Sequence, residues 1–517
     1  METHLSEVTT TAALAEKKKL RKGLWRFDMI CYTVVSIIGL NALGAFAANG
    51  TQAFTWLVIS AVTFFLPYGL LVAELGSTFP QEGGIYAWCK LAGGRLYAAF
   101  AATLYWITVP LLIGGSTAVI MIAALKIFWF GSTAYLFGGH VVTDVLVKLA
   151  LAFLFIWGIT VGAIISLRRG KWISSVGFFV KLALLGIFLV LVGIFVVSGS
   201  GNGSHVAVAD LVPANWGLIA SSILPIVVVL WLGAEMQNNA AEEMANAQRD
   251  VPRAILRAGI IVVILYSLFL LAILIALPSN QLSAVGSFLD AFQTVNRVLP
   301  APLATVLGWL VALGFATSLF ASGATLLIAV SRTYAIAALD RAAPLRLGHI
   351  SRAHGTPTAA AILSGMVATA TVVASMLLAA FGSQSIEALF VQVLSVAIST
   401  ALLAYLLMFP TFLILRYTYP AVPRGYRVPG GLVGAWIVTL LPVLYVGIAC
   451  YFLLIPSDVY LQNNHLDRLT FELAHFVPLV CIGLLTIVLY IWGQREKQNR
   501  DVLVDLVAAA TQRAEDA

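Results

Sequence analysis

The chain has 517 residues, of which 61% are apolar and 10% charged. Soluble domains run at about 45–50% apolar and about 25% charged, so lipid is the solvent for most of this chain, and a string of water-soluble domains is excluded. The net charge of +7 would suit nucleic acid, but the basic residues are distributed as membrane topology requires, and no nucleic-acid partner is expected.

Residues 1–27 are polar and basic and predict a cytosolic tail. They are not a cleavable signal peptide, because the apolar run that follows is full length. A bilayer span needs about 20 apolar residues. Runs of that order lie at 28–48, 53–76, 97–125, 144–166, 174–198, 215–236, 255–277, 301–336, 359–381, 387–413, 433–455 and 473–492. They predict an all-α membrane protein of about twelve transmembrane helices in the cell membrane. The eighth run is long, which predicts tilt or projection into the cytosol. A charged tail, 493–517, follows the last.

Twelve spans place both termini on one side. With that side cytosolic, 25 Lys and Arg side chains fall inside. Three, Lys126, Arg297 and Arg468, fall outside, and Lys148 and Lys181 fall within spans. Every loop then obeys the positive-inside rule. The outer loops are short, and none holds a folded domain. Cys31, Cys89, Cys450 and Cys481 lack metal-ligand spacing and read as small free hydrophobes, so no metal or cofactor is expected.

Two runs break the membrane rules. The first reads Ile37-Ile38-Gly39-Leu40-Asn41-Ala42-Leu43-Gly44, with two glycines around a mid-span asparagine. The sixth reads Leu230-Trp231-Leu232-Gly233-Ala234-Glu235-Met236-Gln237, turning polar at a glycine. Irregular backbone at membrane depth is tolerated only where protein or a cavity satisfies it. The two runs are five apart, which is the spacing of two five-helix repeats inserted in opposite orientations. Such transporters bind substrate between corresponding broken helices. The repeats would be 28–198 and 215–413, with 433–492 as an added pair. Glycines that only let helices pack closely are the competing reading.

Glu235 is a carboxylate near mid-membrane, where acids face a pathway or a partner; the alternative is a solvated interfacial acid. As a pathway group it would gate transport or titrate during it. Lys181 lies in the fifth run. It either snorkels to the cytosol or supplies a fixed positive charge to carbonyls freed by the broken first helix, beside Ser318 or Ser322 of the eighth run. Tyr105 and Trp106 of the third run are open between packing and substrate contact. The histidines all fall in tails, loops or span ends.

Three motifs carry a resemblance. One is Ala73-Glu74-Leu75 leading to Pro80-Gln81-Glu82-Gly83-Gly84-Ile85-Tyr86-Ala87-Trp88. The second is Gly233-Ala234-Glu235 followed by Glu242-Glu243-Met244-Ala245-Asn246-Ala247-Gln248-Arg249-Asp250-Val251-Pro252-Arg253-Ala254-Ile255. The third is Ser331-Arg332-Thr333-Tyr334-Ala335 leading to Asp340-Arg341-Ala342-Ala343-Pro344. Over roughly residues 25–495 the chain resembles the amino acid–polyamine–organocation (APC) permease superfamily, and looks most like its bacterial glutamate/γ-aminobutyrate antiporter branch. The resemblance implies a LeuT-type 5+5 inverted repeat plus two C-terminal helices, often dimeric. It implies a substrate held by amides of the first span and carbonyls of the sixth. A lysine matching Lys181 stands in several relatives where others hold sodium. The departures are Gly39-Leu40-Asn41-Ala42 where the family has Gly-small-Gly, and Ala234 where an aromatic is common.

The expected function is sodium-independent secondary transport of an amino acid or related amine, by antiport or proton coupling. A polyamine or other organocation permease, or a non-transporting nutrient sensor of the same fold, is the alternative. The expected substrate site is Ile38, Gly39, Leu40, Asn41, Ala42, Leu43 and Gly44 with Leu230, Trp231, Leu232, Gly233 and Ala234. Half-helix N–H groups from Asn41 to Gly44 would take a carboxylate, and carbonyls of Leu230 to Leu232 an ammonium. Leu40 and Ala234 would line the pocket. Glu235, Lys181, Tyr105, Trp106, Ser318 and Ser322 would gate or couple. An enzyme would need a ligand cluster or an activated nucleophile, and the sequence offers neither.

Overall fold

The computed structural model describes residues 25–128, 141–169, 171–199, 216, 219–244, 246–277, 287–351, 353–381, 386–456, 458, 461 and 467–515. The loop expected at 199–214 lies almost wholly outside them. Among the described residues, ten helices are long and apolar enough to cross a membrane. They account for ten of the twelve apolar runs, and the missing two are the first and the sixth.

The first run forms α1 (Arg26–Ile37) and α2 (Leu40–Ala47), separated by Ile38 and Gly39 in extended conformation. Helix α3 (Thr51–Thr78) carries a π-turn at Ala61–Phe65, and α4 (Ile85–Lys126) another at Ile113–Thr117. Helix α4 starts ahead of the expected 97 because a short segment precedes Gly94, whose φ of 81° turns the chain into the span. Helices α5 (Val141–Arg169) and α6 (Lys171–Val197) complete the first half.

The sixth run forms α7 (Leu224–Trp231), then an extended Leu232, a Gly233 with φ of 117°, and a 3₁₀ stretch at Met236–Glu243. Next come α8 (Ala247–Ala276), α9 (Ser287–Asn296), α10 (Ala301–Leu339), α11 (Thr358–Phe381), α12 (Ile386–Thr418), α13 (Gly431–Leu454) and α14 (Arg468–Glu515). The 39 residues of α10 span about 58 Å at 1.5 Å per residue. That is longer than a bilayer core, so its buried last turns project beyond it. Helix α14 continues through the expected tail to Glu515.

Helix α4 packs along α12, α3 against α8, α6 against α10, and α1 against both α6 and α8. Outer faces carry exposed Leu154, Val190, Leu310 and Val488, as a lipid-facing surface should. The interior holds fully buried Tyr68, Tyr105, Tyr266, Tyr334 and Tyr405. Buried phenols seek hydrogen-bond partners, and those of Tyr68, Tyr105, Tyr266 and Tyr405 define the site.

The end of the bundle where α1 begins and α10 ends is tied by ion pairs. Glu74 accepts from Arg424 (2.8 Å) and the Val428 N–H (2.6 Å), with Arg416 at 3.5 Å. Asp340 takes Lys90 (2.7 Å), Arg95 (3.3 Å) and the Tyr86 hydroxyl (2.5 Å), and Arg26 reaches Asp250 at 2.5 Å. Asn238 and Asn239 of the 3₁₀ stretch press on Gly76 and Gly84, where any Cβ would overlap their side-chain oxygens. We predict that Gly76→Ala costs about 1–3 kcal/mol, the usual penalty of overpacking. Gly69→Ala, whose Cβ would meet Ile255 at an ordinary 3.6 Å, serves as the control. Thermal melting of the two variants reads the difference.

Candidate functional site

The two breaks touch. A Cβ on Gly233 would stand 3.4 Å from the carbonyl carbon and oxygen of Ser36. Glycine is favoured there because φ is 117°, a conformation that residues with a Cβ rarely adopt.

Breaking a helix strands backbone groups, and each needs a partner. At the first break Tyr266 of α8 serves two of them. Its hydroxyl accepts from Gly39 N–H (3.1 Å) and donates to Ile37 C=O (2.6 Å). Lys181 of α6 serves two more. Its Nζ donates to Val35 C=O (3.0 Å), Ile38 C=O (2.5 Å) and the Ser322 hydroxyl (2.8 Å). An ammonium has three donors, and all three are used. Lys181 is 1% exposed, so it does not snorkel. Ser318 is buried but is not among these partners. Leu43 N–H is already bonded to Gly39 C=O (3.0 Å). The donors without an intrahelical carbonyl at the start of α2 are therefore Leu40, Asn41 and Ala42. The break sits one to two residues earlier than expected, because Gly39 takes the N-cap of α2, and Leu43 and Gly44 drop out of the donor set.

At the second break Tyr68 of α3 does the same work. Its hydroxyl accepts from Gly233 N–H (3.2 Å) and Ala234 N–H (3.0 Å) and donates to Glu235. Glu235 is 0% exposed. It also accepts from the hydroxyls of Tyr105 (2.8 Å) and Tyr405 (2.6 Å), and Tyr105 in turn accepts from Asn239 (3.3 Å). The carboxylate is held by three phenols and is not an interfacial, solvated acid.

Beside the breaks lies a cavity of about 160 Å³. Ser36, Ile37, Ile38, Gly39 and Ala42 line it from the first break, and Leu230, Leu232 and Met236 from the second. Tyr105 and Tyr405 form its floor. From Tyr105 its wall on α4 runs to Ile120, away from the ion-paired end, and on α12 it runs back from Tyr405 to Phe390.

Of the expected site residues, Ile38, Gly39, Ala42, Leu230, Leu232, Tyr105 and Ser322 line this cavity. Leu40 and Leu43 turn into the core, and Gly44 is buried. The Asn41 side chain lies outside the described residues. Ala234 is fully buried away from the cavity. The expectation that Leu40 and Ala234 line the pocket is therefore corrected: both are buried in the core, and after the turn at Gly233 the Ala234 N–H is taken by Tyr68. Trp231 stacks on Phe65 (4.7 Å) and bonds the Ser60 hydroxyl (2.8 Å). Trp106 stacks on Tyr334 (4.5 Å) and bonds Ser364 (2.8 Å), which makes it a packing residue.

Tyr68, Tyr266 and Tyr405 escaped the sequence reading. The signal was present: each sits inside an apolar run, and a mid-membrane carboxylate demands donors.

A family model for amino acid permeases matches residues 24–467. A probable agmatine/putrescine antiporter, AguD, of Lactococcus lactis subsp. lactis is 28% identical over 433 residues, which are 83% of this chain and 87% of that one. The glutamate/gamma-aminobutyrate antiporter of the same organism is 22% identical over 490 residues, 93% of each chain. Among solved structures, MhsT in complex with L-phenylalanine superposes with a TM-score of 0.58 at 16% identity, over 83% of this chain and 98% of that one. The all-α, LeuT-type fold expected from the sequence is the fold of this chain.

Proposed function

The chain belongs to the amino acid permease family, and from that premise we propose that it is a sodium-independent secondary transporter that carries its substrate as a zwitterion, by alternating access. It is a multi-pass membrane protein, and its relatives are transporters of amino acids and amines. The observation that carries the proposal is the pair of touching breaks. Gly39 and Ala42 at the start of α2, and Leu230 and Leu232 at the end of α7, border one cavity, so that helix-start N–H groups and helix-end carbonyls meet beside it. The first suit a carboxylate and the second an ammonium.

In this reading the two broken runs are spans, giving twelve, in repeats 28–198 and 215–413. Tails 1–27 and 493–517 face the cytosol, as does the ion-paired end. The cavity then faces outward, closed beneath by Glu235 and its tyrosines. Transport would part that layer and the ion pairs below it. Lys181 holds the first break where a sodium ion would otherwise bridge the same carbonyls. A second unit charge about 4 Å from the ammonium costs roughly 4 kcal/mol at an effective dielectric of 20, about a thousandfold in affinity.

Uptake of labelled amino acids into proteoliposomes tests this. We expect flux that is equal in sodium and in choline buffer. Strict sodium dependence would refute the role given to Lys181, and specific binding without flux would make the chain a sensor.

A further inference from the structure

Resting on this reading of the site, we infer that the cavity selects amino acids with uncharged, apolar side chains and discriminates against acidic amino acids and polyamines. The two antiporter relatives are named for glutamate, γ-aminobutyrate, agmatine and putrescine, each of which is acidic, cationic or without an α-amino acid head. The lining here is built for something else.

Among the described residues that line the cavity, none carries a charge. The walls beyond the breaks are Val109, Leu112, Ile113, Phe390, Leu394 and Ile398. Hydroxyls are present, but their protons are committed. Ser36 donates to Tyr32 C=O (2.8 Å), Thr108 to Leu104 C=O (2.9 Å) and Thr117 to Leu112 C=O (3.2 Å). Tyr266 donates to Ile37 C=O (2.6 Å), and Tyr105 and Tyr405 both donate to Glu235. A side-chain carboxylate would find few free donors here.

A second ammonium fares no better. The buried acid of the second break, Glu235, does not line the cavity, and the phenols of Tyr105 and Tyr405 donate to it from the cavity wall. Lys181 is likewise sealed behind the break with all its donors used. Burying an unpaired charge is heavily penalised, whereas an apolar side chain gains from leaving water. The backbone groups at the breaks already take the ammonium and carboxylate common to all α-amino acids. The cavity of about 160 Å³ is of the size that, when apolar, holds a benzene.

The test uses the purified full-length chain. Thermal stabilisation is titrated with leucine, methionine and phenylalanine, and with glutamate, lysine, agmatine and putrescine. Counterflow into proteoliposomes is measured beside it. We expect the first three to half-saturate at concentrations at least tenfold below any of the charged four. Equal or tighter binding of glutamate, lysine, agmatine or putrescine would overturn the inference, as would no binding by any neutral compound. Leucine that binds but is not carried would defeat the transport reading and leave this one standing. Flux of agmatine with leucine inert would do the reverse. The Ala45→Phe variant crowds the cavity wall and should weaken phenylalanine at least tenfold more than alanine. Equal losses for both would count against this cavity as the side-chain pocket.

Discussion

The Lys181→Ala variant should lose transport, with uptake down at least a hundredfold, while the chain still enters the membrane. The expectation follows from what the ammonium holds. It makes three charge-assisted bonds, to Val35 C=O, Ile38 C=O and Ser322, which tie α6, the broken first run and α10 together at the edge of the cavity. Truncation removes all three bonds, leaving Ile38 C=O without this donor and Val35 C=O with only the Ser322 hydroxyl at 3.4 Å. A buried polar group left unpaired costs about 1–3 kcal/mol, so the break shifts from its present geometry. Lys181→Met, which keeps the length and much of the packing, should fail almost as badly, because the loss is of donors and charge. Proteoliposome uptake, with insertion followed by recovery from purified membranes, decides it. Near-normal uptake by either variant would reduce Lys181 to a packing residue.

The second large effect is expected from deleting a single oxygen. Tyr68→Phe should lower uptake at least tenfold and destabilise the chain by about 2–4 kcal/mol, since two buried N–H groups, of Gly233 and Ala234, lose their acceptor. Glu235 loses one of its three phenols in the same step. The ring keeps its stacking on Phe64 (5.9 Å), so packing is not the cause. Tyr97→Phe is the control. That hydroxyl donates to Leu407 C=O of α12 and to neither break, and its loss should cost about 1 kcal/mol with uptake unchanged. Melting curves and initial uptake rates of the two variants separate the account from a general intolerance of tyrosine loss.

The sequence carries the two breaks because glycine and a sudden polar residue inside an apolar run have few explanations. It carries the transmembrane helices because lipid leaves backbone no other choice. Where the reading slipped, the reason is geometric. The first break falls at Ile38–Gly39 because Gly39 caps α2, and one residue of phase decides whether Leu40 faces a cavity or a core. Ala234 follows a glycine at φ of 117°, and periodicity cannot carry a direction through such a turn. Tyr68, Tyr266 and Tyr405 lie 165, 227 and 170 residues from the groups they serve, Gly233, Gly39 and Glu235. Nothing local in the sequence announces those pairings. Lys181 differs: a lone cation in a span has few places to go, and both candidate destinations were readable in advance.

In the transport cycle proposed here the substrate occupies the cavity between the breaks. Ala42 lines it and is half-buried. Of the four native cysteines only Cys481 is exposed, so a Cys481→Ser, Ala42→Cys chain offers one reactive thiol at the site. A membrane-impermeant thiol reagent, added on the side away from the chain termini, should label that variant and block uptake. A saturating transported amino acid should slow the labelling at least tenfold. A transported substrate that leaves the labelling rate unchanged would contradict the account.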